Sequence, residues 1–201
     1  LMDVPISMIG GAEGDRAYRN IGEMKNTGWE FDFRTININS DNFTWISNIN
    51  LTTYKNEIVK LNNHEDIVDG YYLRREGEAY HTFYMPLWAG VNPTNGAPQW
   101  YVVDADGNKT GEVTSDYNAN AIAIAGKADP DFYGAIGNEF SYKQFSLSFL
   151  FSYSVGGQIY YSSGYKSWND GNKVQYAIQE SQLDRWQEPG DDAMHPQRIW
   201  G

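Results

Sequence analysis

FSLSFLFSYS, residues 145–154, is the stretch whose reading decides the fold. Phe145, Leu147, Phe149, Phe151 and Tyr153 fall on one side. Ser146, Ser148, Ser152 and Ser154 fall on the other, and Leu150 alone is out of step. A period of two marks a strand with one apolar face. The chain around it is polar, with a mean hydropathy of −0.60 and a formal net charge of −11. Such a ridge of rings must face something apolar, either the interior of a globule or a bilayer. Alternation alone permits both.

Working outward, Asp129-Pro130-Asp131 opens a strand over about 132–142, which turns at Lys143-Gln144 into the ridge. Hence a long hairpin is expected over 132–154. A second is expected over 27–54. Trp29, Phe31 and Phe33 alternate there with Glu30, Asp32 and Arg34. Ser40-Asp41-Asn42 supplies turn chemistry. Phe43, Trp45, Ile49 and Leu51 return on one face opposite Thr44, Asn48, Asn50 and Thr52, with Ile46 and Tyr54 as exceptions.

The rest divides into two long excursions, 55–131 and 155–201. Residues 56–78 read as irregular and charged. Residues 79–91 and 98–104 read as strands, with turns at Asn92–Gly96 and Asp104–Asn108. Residues 172–187 have helical composition: Val174, Ala177, Ile178 and Ser181 share a side, Asn172 is a cap and Glu188-Pro189-Gly190 a stop. Residues 1–20 read as a short apolar start and a polar loop. Tight turns at one end of the hairpins and long excursions at the other are the layout of an outer-membrane barrel; a β-sandwich also alternates.

Composition narrows the function. The 15 basic and 26 acidic residues argue against nucleic-acid binding, which needs a basic footprint. The absence of cysteine excludes disulfides, thiolate metal sites and a Cys nucleophile. No run approaches the roughly 20 apolar residues of a membrane-crossing helix, which leaves strands as a possible means of crossing. The opening LMDVPISMIGG does not read as a secretory leader, and both ends read as cut from something longer.

Little points to catalysis or metal. His64, His81 and His195 are scattered, without metal-ligand spacing. Asp104, Asp106 and Asn108 suit a tight turn better than a calcium loop, since Gly107 and Ser115 stand at the wrong positions. Glu30 and Asp32 share a strand face about 7 Å apart, and lumen or surface charge is a simpler account of them than glycoside hydrolysis. The chain is expected to be no enzyme and to hold no cofactor. The aromatic residues of the excursions are the better ligand candidates, because exposed rings stack on sugar faces. They are Trp88, Trp100, Tyr101, Tyr160, Tyr161, Tyr165 and Trp168, of which Trp88, Trp100, Tyr101 and Trp168 are the chosen set. Loop packing or an interfacial girdle is the plainer account of any single one.

Five phrases, in order along the chain, carry a resemblance. They are NIGEMKNTGWEFDF (20–33), FTWISNINLTTYKNEIVKL (43–61), YMPLWAGVNPTNGAPQWYVVDADGN (84–108), GKADPDFYGAIGNEFSYKQFSLSFLFSYSVGGQIY (126–160) and LDRWQEPGDDAMHPQR (183–198). Together they resemble the late, C-terminal barrel region of SusC/RagA-type TonB-dependent outer-membrane receptors. Gly134-Ala135 departs mildly from the family's Gly-Gly. No plug domain and no final barrel strand are recognised, so the resemblance implies an excised piece of a longer receptor. A barrel of about twenty-two strands, at about 10 residues each plus loops, exceeds what 201 residues supply.

The expected fold is therefore all-β, an antiparallel meander of long hairpins forming part of an outer-membrane β-barrel, with one short helix in a loop. The resemblance implies a parent in the outer membrane of a Gram-negative bacterium. That parent would import a bulky nutrient, an oligosaccharide or peptide, with TonB supplying energy and a SusD-like surface lipoprotein capping the barrel. The apolar face would meet outer-membrane lipid. Alone, the piece has open edges and an unshielded face, so self-association is a further expectation. A free-standing carbohydrate-binding β-sandwich is the alternative.

Overall fold

A computed structural model describes residues 2–5, 16–19, 22–117, 121–168 and 175–198. The chain divides into two compact units, residues 1–82 with 127–158, and residues 83–126 with 159–201.

The first unit is built on a four-stranded antiparallel sheet. Numbered along the chain, its strands are β3 (Gly22–Asn39), β4 (Phe43–Leu61), β12 (Phe132–Tyr142) and β13 (Phe145–Val155), in the order β13-β12-β4-β3. Both expected hairpins are present, but the first runs from Gly22 to Leu61 rather than over 27–54, and the second from Phe132 to Val155. The first closes through Ser40, whose amide donates to the Phe43 carbonyl at 2.9 Å and whose hydroxyl oxygen accepts from the Phe43 amide at 3.2 Å. The second turns at Lys143, which takes φ 54. The Lys143 amide donates to the Asn42 carbonyl at 3.0 Å and so ties the two turns together.

Register aligns the apolar residues in rows across the sheet. Phe33, Ile49, Ile136 and Phe151 form one row, and Phe31, Leu51, Gly134 and Tyr153 the next. Directly paired residues share a face, so the Phe145–Tyr153 ridge continues across all four strands. Its rings are exposed rather than sealed in a core: Trp29 is 72%, Phe145 77% and Phe151 66% accessible. The polar groups on this face satisfy one another. Asn138 Oδ1 accepts from Trp45 Nε1 at 2.9 Å and from Ser47 Oγ at 2.7 Å, while Asn37 Nδ2 donates to Ser47 Oγ at 2.7 Å. The opposite face carries Glu30, Asp32, Arg34, Asn48, Asn50, Thr52 and the serines of β13. An apolar outer face with its polar atoms paired, backed by a polar inner face, is what a barrel wall requires. β12 and β13 have 11 residues each, close to the roughly 9–11 that cross a bilayer. No helix among the described residues is long and apolar enough to cross a membrane.

Two readings of this unit are corrected. Residues 2–5 and 16–19 are not featureless: β1 (Met2–Pro5) pairs antiparallel with β2 (Arg16–Arg19). These four-residue strands have no apolar period to betray them. The charged stretch after residue 56 is also not irregular throughout, because β4 continues to Leu61. Its Ile58 amide donates to the Glu78 carbonyl and its carbonyl accepts from the Gly77 amide, each at 2.8 Å. Buried Ile58 and Leu61 pack with Ile67 and Tyr80. That tertiary pairing outweighs the local charge pattern. Beyond it come a 3-10 turn (Asn62–His64) and the hairpin of β5 (Ile67–Asp69) and β6 (Tyr72–Arg74).

Glu76 holds this turn. Its Oε1 accepts from the Leu61 amide at 2.7 Å and sits 2.9 Å from His64 Nδ1. The Leu61 bond, then His64, lowers its carboxyl below the ordinary value. A lowered folded pKa gives stability that is fully present above the unfolded value, about 4.3, and is lost as pH falls through the folded value. Hydrogen exchange at the Leu61 amide checks this. Relative to Glu76→Gln, its protection is expected to fall in that acid window and to differ most at neutral pH.

The second unit contains β7 (Thr82–Pro86, its first residue in the first unit), β8 (Trp88–Val91), β9 (Pro98–Val103), β10 (Lys109–Thr114) and β11 (Ile122–Lys127, its last residue in the first unit). β10-β9-β8 form a sheet, and β11 lies beside β7. Phe83, Ala121 and Ala123 are buried. Two of the motif phrases meet here. Trp186 Nε1 donates to the Pro93 carbonyl at 3.0 Å, and Gln197 N to the Gly96 carbonyl at 2.8 Å. Gly96 has φ +68, and a Cβ there would strike the Trp186 ring, so this glycine is required twice over.

The helix expected over 172–187 is not formed across its described part. Residues 172–174 lie outside the described residues. After them come a turn and a single 3-10 turn at Glu180–Leu183, while the short helix α1 lies earlier, at Gly164–Ser167. Side-chain bonds overrule the helical composition. Gln179 takes Trp168 Nε1 on its carbonyl oxygen and donates to Tyr161 OH, and Gln182 rather than Ile178 is buried.

Candidate functional site

The four aromatic candidates do not form one site. Trp88 and Trp100 face each other across β8 and β9, with ring centroids 6.2 Å apart and edge to face. Tyr117, not anticipated, joins them at 5.1 Å from Trp100 and is 69% accessible. This makes a three-ring ridge. Tyr101 stands next along β9, with Lys109 Nζ 4.0 Å from its ring centre. Trp168 belongs to a different cluster, 5.3 Å from Tyr161 and 5.9 Å from His195. Burial pushes the His195 imidazole below its ordinary pKa. The side chain of Tyr165 lies outside the described residues.

The polar candidates fall apart similarly. Asp104 closes its own loop, its Oδ1 accepting from the Asn108 amide at 2.9 Å and the Asp106 amide at 3.0 Å. The Asn108 bond leads the effects that lower its carboxyl pKa. Among the described residues no three His, Asp or Glu side chains are placed to share a metal ion. His64 is engaged by Glu76. Glu30 lines a cavity of which Asp32 is not a lining residue.

That cavity, about 770 Å³ in volume, lies in the first unit against the polar face of β3 and β4. Asn26, Gly28 and Glu30 line it from β3, and Thr52, Tyr54 and Asn56 from β4. Gly28 opposes Tyr54 in the register, and a Cβ there would run into the Thr53 carbonyl oxygen, so the glycine lets β3 and β4 approach closely under the groove. Tyr80, His81, Asp129 and Tyr133 complete the walls. Tyr54 OH donates to Asp129 Oδ1 at 3.2 Å, and His81 Nδ1 lies 3.9 Å from the same oxygen. The Tyr54 and Tyr133 rings meet edge to face at 6.3 Å. Sequence reasoning missed this groove because its members are scattered from residue 24 to residue 133. The Asp129-Pro130 turn and the tyrosines were the available signals.

No family model matches the chain. TonB-dependent receptor P3 of Formosa agariphila is 33% identical over 158 residues, covering 70% of this chain and 16% of the relative. TonB-dependent receptor SusC of Bacteroides thetaiotaomicron is 29% identical over 160 residues, covering 71% of this chain and 15% of its own length. In the solved structure of the RagAB peptide transporter, one chain superposes with a TM-score of 0.81 at 28% identity, over 98% of this chain and 22% of that one.

A four-stranded wall with an apolar outer face, matched over nearly its whole length by such chains, is part of a TonB-dependent receptor β-barrel; the barrel is not closed within the described residues. Within that class the chain belongs to the SusC/RagA type. It spans less than a quarter of the relatives it matches. Those relatives are receptors and a transporter rather than enzymes.

Proposed function

We propose that this chain supplies wall and outer loops to a receptor in the outer membrane of a Gram-negative bacterium, one that imports an oligosaccharide. Energy reaches the receptor through TonB, and a SusD-like lipoprotein covers its mouth. The excursions 55–131 and 155–201 face outward. The observation that carries the sugar reading is the Trp88–Trp100–Tyr117 ridge, whose outer rings Trp88 and Tyr117 are exposed while Trp100 is half-buried between them, since exposed rings suit stacking on sugar CH groups. The likeness to the RagAB peptide transporter supports a second reading, in which the cargo is a peptide.

Alanine substitution tests the choice. Trp88→Ala and Trp100→Ala in the full receptor are each expected to lower oligosaccharide uptake about three- to tenfold, the size of one lost ring contact. Unchanged sugar uptake with diminished peptide uptake would support the second reading instead. Tyr101 and Trp168 are assigned smaller roles, because Lys109 covers one ring and Tyr161 and Gln179 hold the other.

A further inference from the structure

We propose that the groove of the first unit binds a primary ammonium group. The starting point is Asp129, whose side chain is only 17% accessible. Its Oδ1 accepts from one neutral phenol, Tyr54, at 3.2 Å, and its Oδ2 is buried without a hydrogen-bond partner among the described residues. A carboxylate out of water needs a compensating cation or several donors. None of the groove's described lining residues is Lys or Arg. Lys127, two residues away, is engaged by Asp131 at 2.8 Å. Arg74 lies over the Tyr80 ring at 4.2 Å and does not line the cavity. His81 stands off at 3.9 Å.

The remaining walls fit the same occupant. Tyr54 and Tyr133 present rings, and a cation near ring faces is favoured, while the Tyr80 ring already carries Arg74. Glu30 adds a second carboxylate at one edge, whereas the Asn26 and Asn56 amide oxygens are already engaged, by Asn56 Nδ2 and the Tyr80 amide, each at 2.7 Å. A bare metal ion fits poorly, because hard cations take six or more oxygen ligands and no three metal-binding side chains converge among the described residues. An ammonium needs only one carboxylate, a few acceptors and rings. Two sources carry it, an amino sugar and a peptide amine. The inference rests on the import reading only in taking the occupant to be cargo.

The test uses the full receptor in detergent and calorimetric titration with two pairs of probes. One pair is glucosamine trisaccharide and its N-acetylated form; the other is a lysine-containing tripeptide and its fully acetylated form. In at least one pair the free amine is expected to bind about tenfold or more tighter than its acetylated partner, the size of one charged hydrogen bond. The pair that responds names the source. Asp129→Asn is expected to abolish the preference by weakening the free-amine probe about tenfold relative to its acetylated partner. Absence of any free-amine preference in both pairs overturns the proposal, and so does its survival in Asp129→Asn. The wild-type comparison needs no variant, so a folding defect in Asp129→Asn cannot mask the result. Uptake of a neutral oligosaccharide by cells reports on the import reading separately.

Discussion

Phe151→Arg in the full receptor is expected to lower the unfolding free energy in lipid vesicles by about 2–4 kcal/mol, the cost of a cation at mid-bilayer on the outer face of a barrel. Phe151 lies midway along the apolar rows, beside Ile136 in the register, and is 66% accessible in the chain. Ser152→Arg, one residue on, points the charge to the polar face and is expected to change stability by no more than about 0.5 kcal/mol. Denaturant titration of both variants checks the pair. Equal costs at 151 and 152 would mean that the ridge does not meet hydrocarbon.

Gly134→Val is expected to cost about 1–3 kcal/mol through overpacking. Gly134 sits between Leu51 and Tyr153 in its row. A Cβ there would meet the Asn50 carbonyl oxygen and the Tyr153 phenol. Tyr153 lies across the glycine so that its OH donates to the Asn50 carbonyl at 3.1 Å. Tyr153→Phe removes that bond alone and is expected to cost about 1 kcal/mol. The Asn50 carbonyl and the ring carbon Cζ at position 153 both remain in the double variant Gly134→Val with Tyr153→Phe, so the valine is expected to stay destabilising there. Thermal unfolding of the four chains separates the two contributions. If the double variant were as stable as Tyr153→Phe alone, the clash would lie only with the phenol.

These experiments touch the part of the molecule most legible in the sequence. Period-two alternation located β3, β4, β12 and β13 because one face of each meets a single medium, which leaves a regular trace. The strand expected over about 132–142 coincides with β12. The mild departure at Ala135 is also intelligible, since its side chain points to the polar face, away from Tyr153. Elsewhere the determinants are not local. β4 runs on to Leu61 because Gly77 and Glu78 return to pair with Ile58, which no window around residue 58 reveals. Gln179 has the composition of a helix but is held by Trp168 and Tyr161. Trp88 and Trp100 were legible as ligand candidates by residue type. Their pairing, the arrival of Tyr117, and the groove around Asp129 depend on register and chain return.

The unequal lengths of the wall strands have a consequence of their own. β3 and β4 have 18 and 19 residues, against 11 in β12 and β13. At about 3.3 Å per residue the longer pair overtops the shorter by about 25 Å. All four meet level at the tied turns, so the whole difference appears at the far end, as a step in the parapet. Above the step, β4 from Tyr54 to Leu61 pairs with β3 but not with β12. The surfaces above and below the step are therefore held by different strands, and can be altered one set at a time.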